Sequence, residues 1–345
     1  MICIFSYLYF IATLSILLSI ILIKLTAAYN SIITFPGNNY FLLCISFTFW
    51  ALLSGLWSPV PSDSYYSAVI LLIIPLSLLI GFWSTHKQQQ YFYLALAAFI
   101  LITLVKAYYQ RFIVIPQQPA PGFFSNKNTN ASFIAMILLP FSTYFLTEKQ
   151  SGYKHYLTGL IIACGTFIIA LTVSRGAILG LSIGLLLILL HILIQSQSRK
   201  SFLKLIGFIV FGFFIAELLT GSSYSNRMIN QSVNTNITTL SKGRDYIWNS
   251  GLQMYMEQPV LGRGFNMFHW LFPQFRHIDA PDIGQFAHND YLQFLIELGP
   301  IGLILFAAFI LNLLKSSYLL YSKTQNNDQK LLYLGLISAC ISVLT

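Results

Sequence analysis

The sequence predicts an all-α polytopic membrane protein with about ten recognisable transmembrane helices and one large external loop that carries short helices. Two observations lead there. Hydrophobic residues make up 56% of the 345 positions and charged residues only 8%, whereas soluble domains are about 25% charged. The apolar residues also fall into runs of the length at which a helix, rising about 1.5 Å per residue, crosses a hydrocarbon core about 30 Å thick. Runs of that length point to helices and not to the short alternating strands of a barrel.

In chain order, spans are expected near 3–23, 39–57, 65–83, 91–109, 131–147, 156–173, 176–195, 202–219, 300–320 and 331–345. The first lacks a basic start and a small-residue cleavage site, so it reads as a retained span and not a removed leader. The last has room for about 22 Å of helix before Thr345, less than a crossing needs, so the chain reads as truncated. Three regions result: N-terminal transmembrane helices over 1–219, a long loop over 220–299, and C-terminal transmembrane helices over 300–345. Cys3, Cys44, Cys164 and Cys340 all sit inside spans without paired spacing. That pattern suggests packing, not a disulfide framework or a zinc site.

Charge then gives an orientation. Lys24, His86 with Lys87, Lys149 with Lys154, the cluster Arg199, Lys200 and Lys204, and Lys315 with Lys323 and Lys330 alternate to one side of the expected spans. The positive-inside rule makes that side cytoplasmic. The net charge of +9 is thus partly a topology signal and calls for no nucleic-acid partner. The N-terminus, the loop 110–130, the tight turn at Ser174–Arg175 and the segment 220–299 fall on the external face.

Several basic residues nevertheless lie on that external face: Lys106, Arg111, Lys127, Arg175, Arg227, Lys242, Arg244, Arg263 and Arg276. A stray external arginine is ordinarily solvated or bound to lipid headgroups. Arg175 stands apart because it lies between two apolar runs with almost no loop around it, and ionisable groups at membrane depth are costly. Within the long loop, Ile247, Trp248, Leu252, Tyr255 and Met256 recur at helical spacing, which predicts an interfacial helix lying on the bilayer and ended by Pro259. Gly262-Arg263-Gly264 predicts a turn with a cation at its centre. Phe265, Phe268, Trp270, Phe272 and Phe275 read as an aromatic belt at headgroup depth, with stacking on sugar faces as the alternative.

The stretch from about Gln285 to Leu298 predicts a further helix. Asn289, Gln293 and Glu297 form one polar stripe at i, i+4 and i+8, and His288 lies in the first turn. There the positive end of the dipole favours the neutral imidazole that can accept a proton. Gly299 suits the end of this helix and Pro300 the first turn of the next. His269 and His277 are rivals without a comparable stripe. No metal-ligand spacing, P-loop or dinucleotide fingerprint occurs, so neither a metal nor a nucleotide cofactor is expected.

Four stretches, "GFFSNKNTNAS" (122–132), "SRGAILGL" (174–181), "GRDYIWNSGLQMYMEQPVLGRGF" (243–265) and "HNDYLQFLIELGPIG" (288–302), resemble the O-antigen ligase and polymerase family of bacterial envelope enzymes. The last repeats the family's His-Asn, nine residues, Gly pattern. The resemblance implies about twelve spans with a large periplasmic loop, and a multi-pass enzyme of the bacterial inner membrane whose site faces the periplasm. It implies a glycan donor on undecaprenyl pyrophosphate, an acceptor hydroxyl such as lipid A-core, and inversion at the anomeric centre without metal or cofactor.

Residue chemistry agrees. A planar arginine fork binds phosphate oxygens bidentately, which suits Arg175 and Arg244 to the leaving pyrophosphate, with Arg263 as a third contact. His288 is the expected base for the acceptor hydroxyl. Asn289, Gln293 and Glu297 are expected at the substrate, and Asn126 and Asn128 either bind sugar hydroxyls or cap helices. The motifs leave the acceptor open among lipid A-core, a second lipid-linked glycan as in polymerases, and a protein hydroxyl as in O-oligosaccharyltransferases. A transporter of lipid-linked sugar is the reading from another class; it predicts polar groups spread through mid-membrane, not gathered at one face.

Overall fold

The computed structural model describes residues 39–83, 86–114, 118–124, 126–147, 152–195, 199–221, 244–278, 280 and 286–344. The expected span 3–23, Cys3, Lys24, Lys149, Arg227, Lys242 and the expected helix start at Gln285 lie outside these. Among the described residues there is no strand. The helices are α1 (Asn39–Leu53), α2 (Pro61–Ile70), α3 (Ile73–Trp83), α4 (His86–Tyr109), α5 (Lys127–Phe145), α6 (Tyr153–Thr172), α7 (Arg175–Gln195), α8 (Arg199–Thr220), α9 (Arg244–Glu257), α10 (Phe268–Phe275), α11 (Asp290–Lys323) and α12 (Asn327–Leu344).

Seven segments among the described residues are long and apolar enough to cross a membrane: Asn39–Leu56, Pro61–Ile80, Gln90–Val114, Tyr153–Thr172, Arg175–Ile194, Arg199–Thr220 and Asp290–Lys323. They match seven of the ten expected spans. The expected spans at 131–147 and 331–345 are also helices, α5 and α12. Both open on polar turns, Lys127 to Asn130 and Asn327 to Lys330, which dilute their apolar character. The span expected as one piece over 65–83 is broken between α2 and α3. Pro75 has no N–H to give the carbonyl four residues back, so the ladder fails at Leu71–Leu72, and the Leu71 carbonyl accepts from Ile74 N at 3.0 Å instead.

The chain forms two compact units. The first draws its described residues from Ser77–Arg227 and Leu314–Thr345, the second from Thr34–Leu76 and Met228–Leu313. In the first unit α5 is the central helix, packed against α6, α7 and α12, while α6 also packs on α4 and α8. Small residues let these helices approach closely, as expected where hydrophobicity alone does not drive association. A Cβ on Gly335 would sit 2.1 Å from Thr143 Oγ1, and one on Gly212 2.3 Å from the Ala163 carbonyl oxygen. Buried hydroxyls donate to carbonyls of the preceding turn, as Ser142 does to Leu138 at 2.8 Å and Thr172 to Ile169 at 2.6 Å. That keeps them satisfied without water. The outward face of α8, with Leu203, Val210, Phe211, Phe214 and Leu218, stays exposed and apolar, the surface a lipid-facing helix presents.

In the second unit, α1 packs on α11 through Phe47, whose ring lies 5.6 Å from Phe294 and 5.5 Å from Phe306. A compact core joins α9, α10 and the start of α11 around Ile247, Met254, Phe268, Phe272 and Ile296. This corrects two expectations. The buried face of α9 is Ile247, Ser250, Gly251 and Met254, while Leu252 and Met256 are exposed. Phe265, Phe268 and Phe272 are core residues and not a headgroup belt; of those five aromatics only Trp270 is exposed.

Candidate active site

The end of the first half of α11 shows how the second unit is held. Gly299, at φ 68° and ψ −175°, splits α11 into a helix ending at Leu298 and another beginning at Pro300, as the Gly-Pro pair predicts. A helix end leaves carbonyls without intrahelical donors. Here the Ile296 carbonyl accepts from Arg263 N at 2.9 Å, Glu297 from Gly264 N at 2.8 Å, and Leu298 from Trp50 Nε1 at 2.9 Å. Gly262 and Gly264 have φ of 73° and 99°, and a Cβ on Gly262 would lie 2.5 Å from Gly299 N. The Gly-Arg-Gly turn is therefore a cap built to meet another backbone at contact distance. The Arg263 guanidinium is paired with Glu257, and its Nε donates to the Met254 carbonyl at 3.4 Å.

At the other end of this helix the structure corrects the expected start. The helix begins at Asp290, capped by Asn289, whose Oδ1 accepts from Leu292 N at 3.1 Å. Asparagine is among the best N-caps because its side-chain oxygen replaces a missing backbone acceptor. His288 therefore precedes the helix; it is exposed and has the left-handed φ of 52°. Both neighbours are fixed. Ala287 is fully buried, its N–H donates to Gln293 Oε1 at 3.2 Å, and its carbonyl accepts from Trp248 Nε1 at 2.9 Å. With Asn289 held as the cap, the His288 backbone is defined from both sides.

The polar stripe is real but faces inward below Asn289. Gln293 and Glu297 are buried. Gln293 Nε2 donates to Glu297 Oε1 at 2.9 Å, and Glu297 also accepts from Asn266 N at 2.8 Å and Phe268 N at 3.2 Å. The polar atoms of Gln293 and Glu297, both expected at the substrate, are used in joining α11 to the 264–268 turn.

The rival histidines are placed differently. His269 Nε2 lies 3.7 Å from Asp63 Oδ2. Burial pushes this imidazole below its ordinary pKa, with the Asp63 carboxylate and a hydrogen bond to the Asn266 backbone opposing the shift. His277 is exposed and stacks on Tyr246 with ring centres 4.7 Å apart.

Arg244, also in the second unit, is the first residue of α9 and is half-buried. Arg175 belongs to the first unit and is likewise half-buried as the first residue of α7, after a turn of only Val173 and Ser174 in which Val173 is left-handed. A cation at a helix start meets the positive end of the dipole, an arrangement that an anion would reverse. In the first unit Asn126 is the N-cap of α5, accepting from Asn128 N at 2.8 Å. That supports capping over sugar binding for Asn126. Sequence reasoning passed over Asn130 and Asp63. Asn130 is fully buried, with neither amide atom hydrogen-bonded among the described residues, and no spacing marks it out from its two neighbouring asparagines. Asp63 meets partners some 200 positions away, which no local pattern records. Among the described residues no three His, Cys, Asp or Glu side chains gather as a metal would require.

Residues 160–307 match the family model described as O-antigen ligase. The matched stretch contains Arg175, Arg244, Arg263, His288, Asn289, Gln293 and Glu297, and it stops short of Asn126 and Asn128. No curated protein matches the chain. The match runs from within α6 to the first turns after Gly299, and over that stretch the chain is similar to the O-antigen ligase family.

Proposed function

We propose that this protein transfers a glycan from an undecaprenyl-pyrophosphate carrier to an acceptor hydroxyl at the periplasmic face of the bacterial inner membrane, with lipid A-core as the acceptor. The observation that carries this reading is the family match over 160–307, which takes in the exposed histidine and both helix-opening arginines. His288 takes the proton of the acceptor hydroxyl. The oxygen attacks the anomeric carbon from the face opposite the leaving group, the bond from that carbon to the pyrophosphate oxygen breaks, and configuration inverts. Arg175 and Arg244 take up the charge that develops on the pyrophosphate, where preorganised donors act most strongly.

His288 is favoured over His269 because the ring of His269 is held between Asp63 and the Asn266 backbone, while His288 is exposed on a backbone fixed by its neighbours. Arg263, Gln293 and Glu297 serve as positioning residues, since their polar atoms hold the Gly-Arg-Gly turn and the helix behind His288. Asn289 caps that helix, and Asn126 caps α5. No residue acts through a metal or a nucleotide in this scheme.

The test is what accumulates when the gene is deleted. Polymerised glycan left on the lipid carrier, with lipid A-core uncapped, supports ligation. Single repeat units on the carrier would instead make the protein a polymerase, and unchanged surface glycan would overturn the assignment.

A further inference from the structure

The second unit has a second polar cluster, distinct from His288, built on Asp63 in the first turn of α2. Three side chains of the 266–270 segment converge on its Oδ2: Trp270 Nε1 donates at 2.7 Å, Asn266 Nδ2 at 3.4 Å, and His269 Nε2 stands 3.7 Å away. Asn266 also donates to Ser67 Oγ at 2.8 Å, so α2 holds this segment at two successive turns of one face.

The result is an indole whose orientation is fixed while its surface remains open. Trp270 is 50% exposed although its only polar atom is already bonded, and the His269 ring lies 5.4 Å from it. Tyr66, one turn on from Asp63, is 58% exposed. The Asp63 and His269 side chains themselves keep 21% and 23% of their surface. A tryptophan that anchors a protein at the headgroup layer keeps its N–H for water or lipid while the ring sits in the acyl region. Here the N–H is tied to a carboxylate, and that carboxylate and an imidazole, both partly exposed, stand beside the ring.

We propose that Trp270, with Asp63 and His269 at its edge, is a glycan-binding subsite: the indole face stacks on the apolar face of a pyranose, and Asp63 and His269 bind its hydroxyls. An aromatic face with polar groups at its rim matches a sugar, which is apolar on its ring faces and polar around its edge. The inference rests on the glycan-transfer reading above and adds to it a contact with sugar units away from the bond being broken. Such remote contacts hold a polymer in register while its reducing-end sugar is transferred.

The experiment uses the full chain in nanodiscs. The probe is lipid-free polysaccharide released by mild acid from the host's own surface glycan, with binding measured by calorimetry. Trp270→Ala should raise Kd about tenfold or more, the loss expected for truncating an aromatic anchor. Trp270→Phe should keep most of the binding, and His288→Ala should bind like the parent while losing transfer. Thermal unfolding of each variant confirms that the fold survives. If Trp270→Ala binds the polysaccharide as the parent does, or if the parent does not bind it, the subsite is wrong. A Trp270→Ala effect seen only as reduced quenching by acyl-brominated lipid would make the residue a membrane anchor instead. If His288→Ala retains transfer, the catalytic reading fails while the subsite, judged by binding alone, stands or falls separately.

Discussion

His288 adopts a backbone conformation that a side-chain-bearing residue enters at a cost of roughly 1–3 kcal/mol, and it does so between a buried Ala287 and a capping Asn289. The sequence points to this histidine through its place before a polar stripe, but it puts the ring inside the first turn, whereas the helix starts at Asp290 behind the Asn289 cap and His288 precedes it. The arginine roles are tested by Arg175→Lys and Arg244→Lys. Each keeps the charge and loses the bidentate fork, so transfer should fall about tenfold or more for both; unchanged initial rates in membranes for the pair would remove the pyrophosphate role. His269 leads to a prediction in pH. Its folded pKa is depressed by burial, so below the unfolded value of about 6.5 the unfolded chain binds protons that the folded chain resists. The stability associated with neutral His269 is present above that value and declines as pH falls below it. The unfolding temperature in detergent should therefore drop between pH 7 and pH 5, and less steeply in His269→Gln. Parallel curves for the two proteins would contradict this.

Among the elements, the one most fully anticipated is the break in α11. Gly-Pro names both its cause and its place, since Gly299 alone takes the left-handed φ and Pro300 suits a first turn. What covers the break was not legible: the carbonyls it frees are met by Arg263, Gly264 and Trp50, and the last is 248 positions away. The face of α9 was misread for a related reason. Its apolar residues lie on both sides, Ile247 and Met254 inward, Leu252 and Met256 outward, and in a membrane protein an outward apolar residue carries no penalty that would sort the two. Gly299→Ala should destabilise the protein by about 1–3 kcal/mol, through strain at positive φ and a Cβ 2.4 Å from the Val260 carbonyl oxygen. Gly207→Ala in α8, where an added Cβ meets nothing within 4 Å, is the control and should leave unfolding unchanged or raise its midpoint slightly. Equal midpoints for Gly299→Ala and the parent would mean that the capped turn does not hold the unit together.

For the molecule as a whole, composition announced a helical membrane protein because hydropathy is a local property that survives any tertiary arrangement. The division into two compact units was not announced, because it pairs residues 34–76 with 228–313 across most of the chain. Orientation rests on charge and can be measured directly. With the native cysteines replaced, Met256→Cys, 70% exposed in α9, should react with a membrane-impermeant maleimide added outside the cytoplasmic membrane. Lys200→Cys, exposed at the start of α8, should react only after permeabilisation. The reverse pattern would place the 244–298 region in the cytoplasm, away from the lipid-linked donor.

In the proposed mechanism His288 is the base that activates the acceptor. That role is tested most directly by glycan transfer in reconstituted membranes supplied with lipid-linked donor and lipid A-core, comparing the single variants His288→Ala, His269→Ala and His277→Ala. Loss of about a hundredfold or more in rate is expected for His288→Ala, with transfer retained by His277→Ala and reduced but measurable in His269→Ala. Full transfer by His288→Ala together with its loss in either of the others would contradict the account.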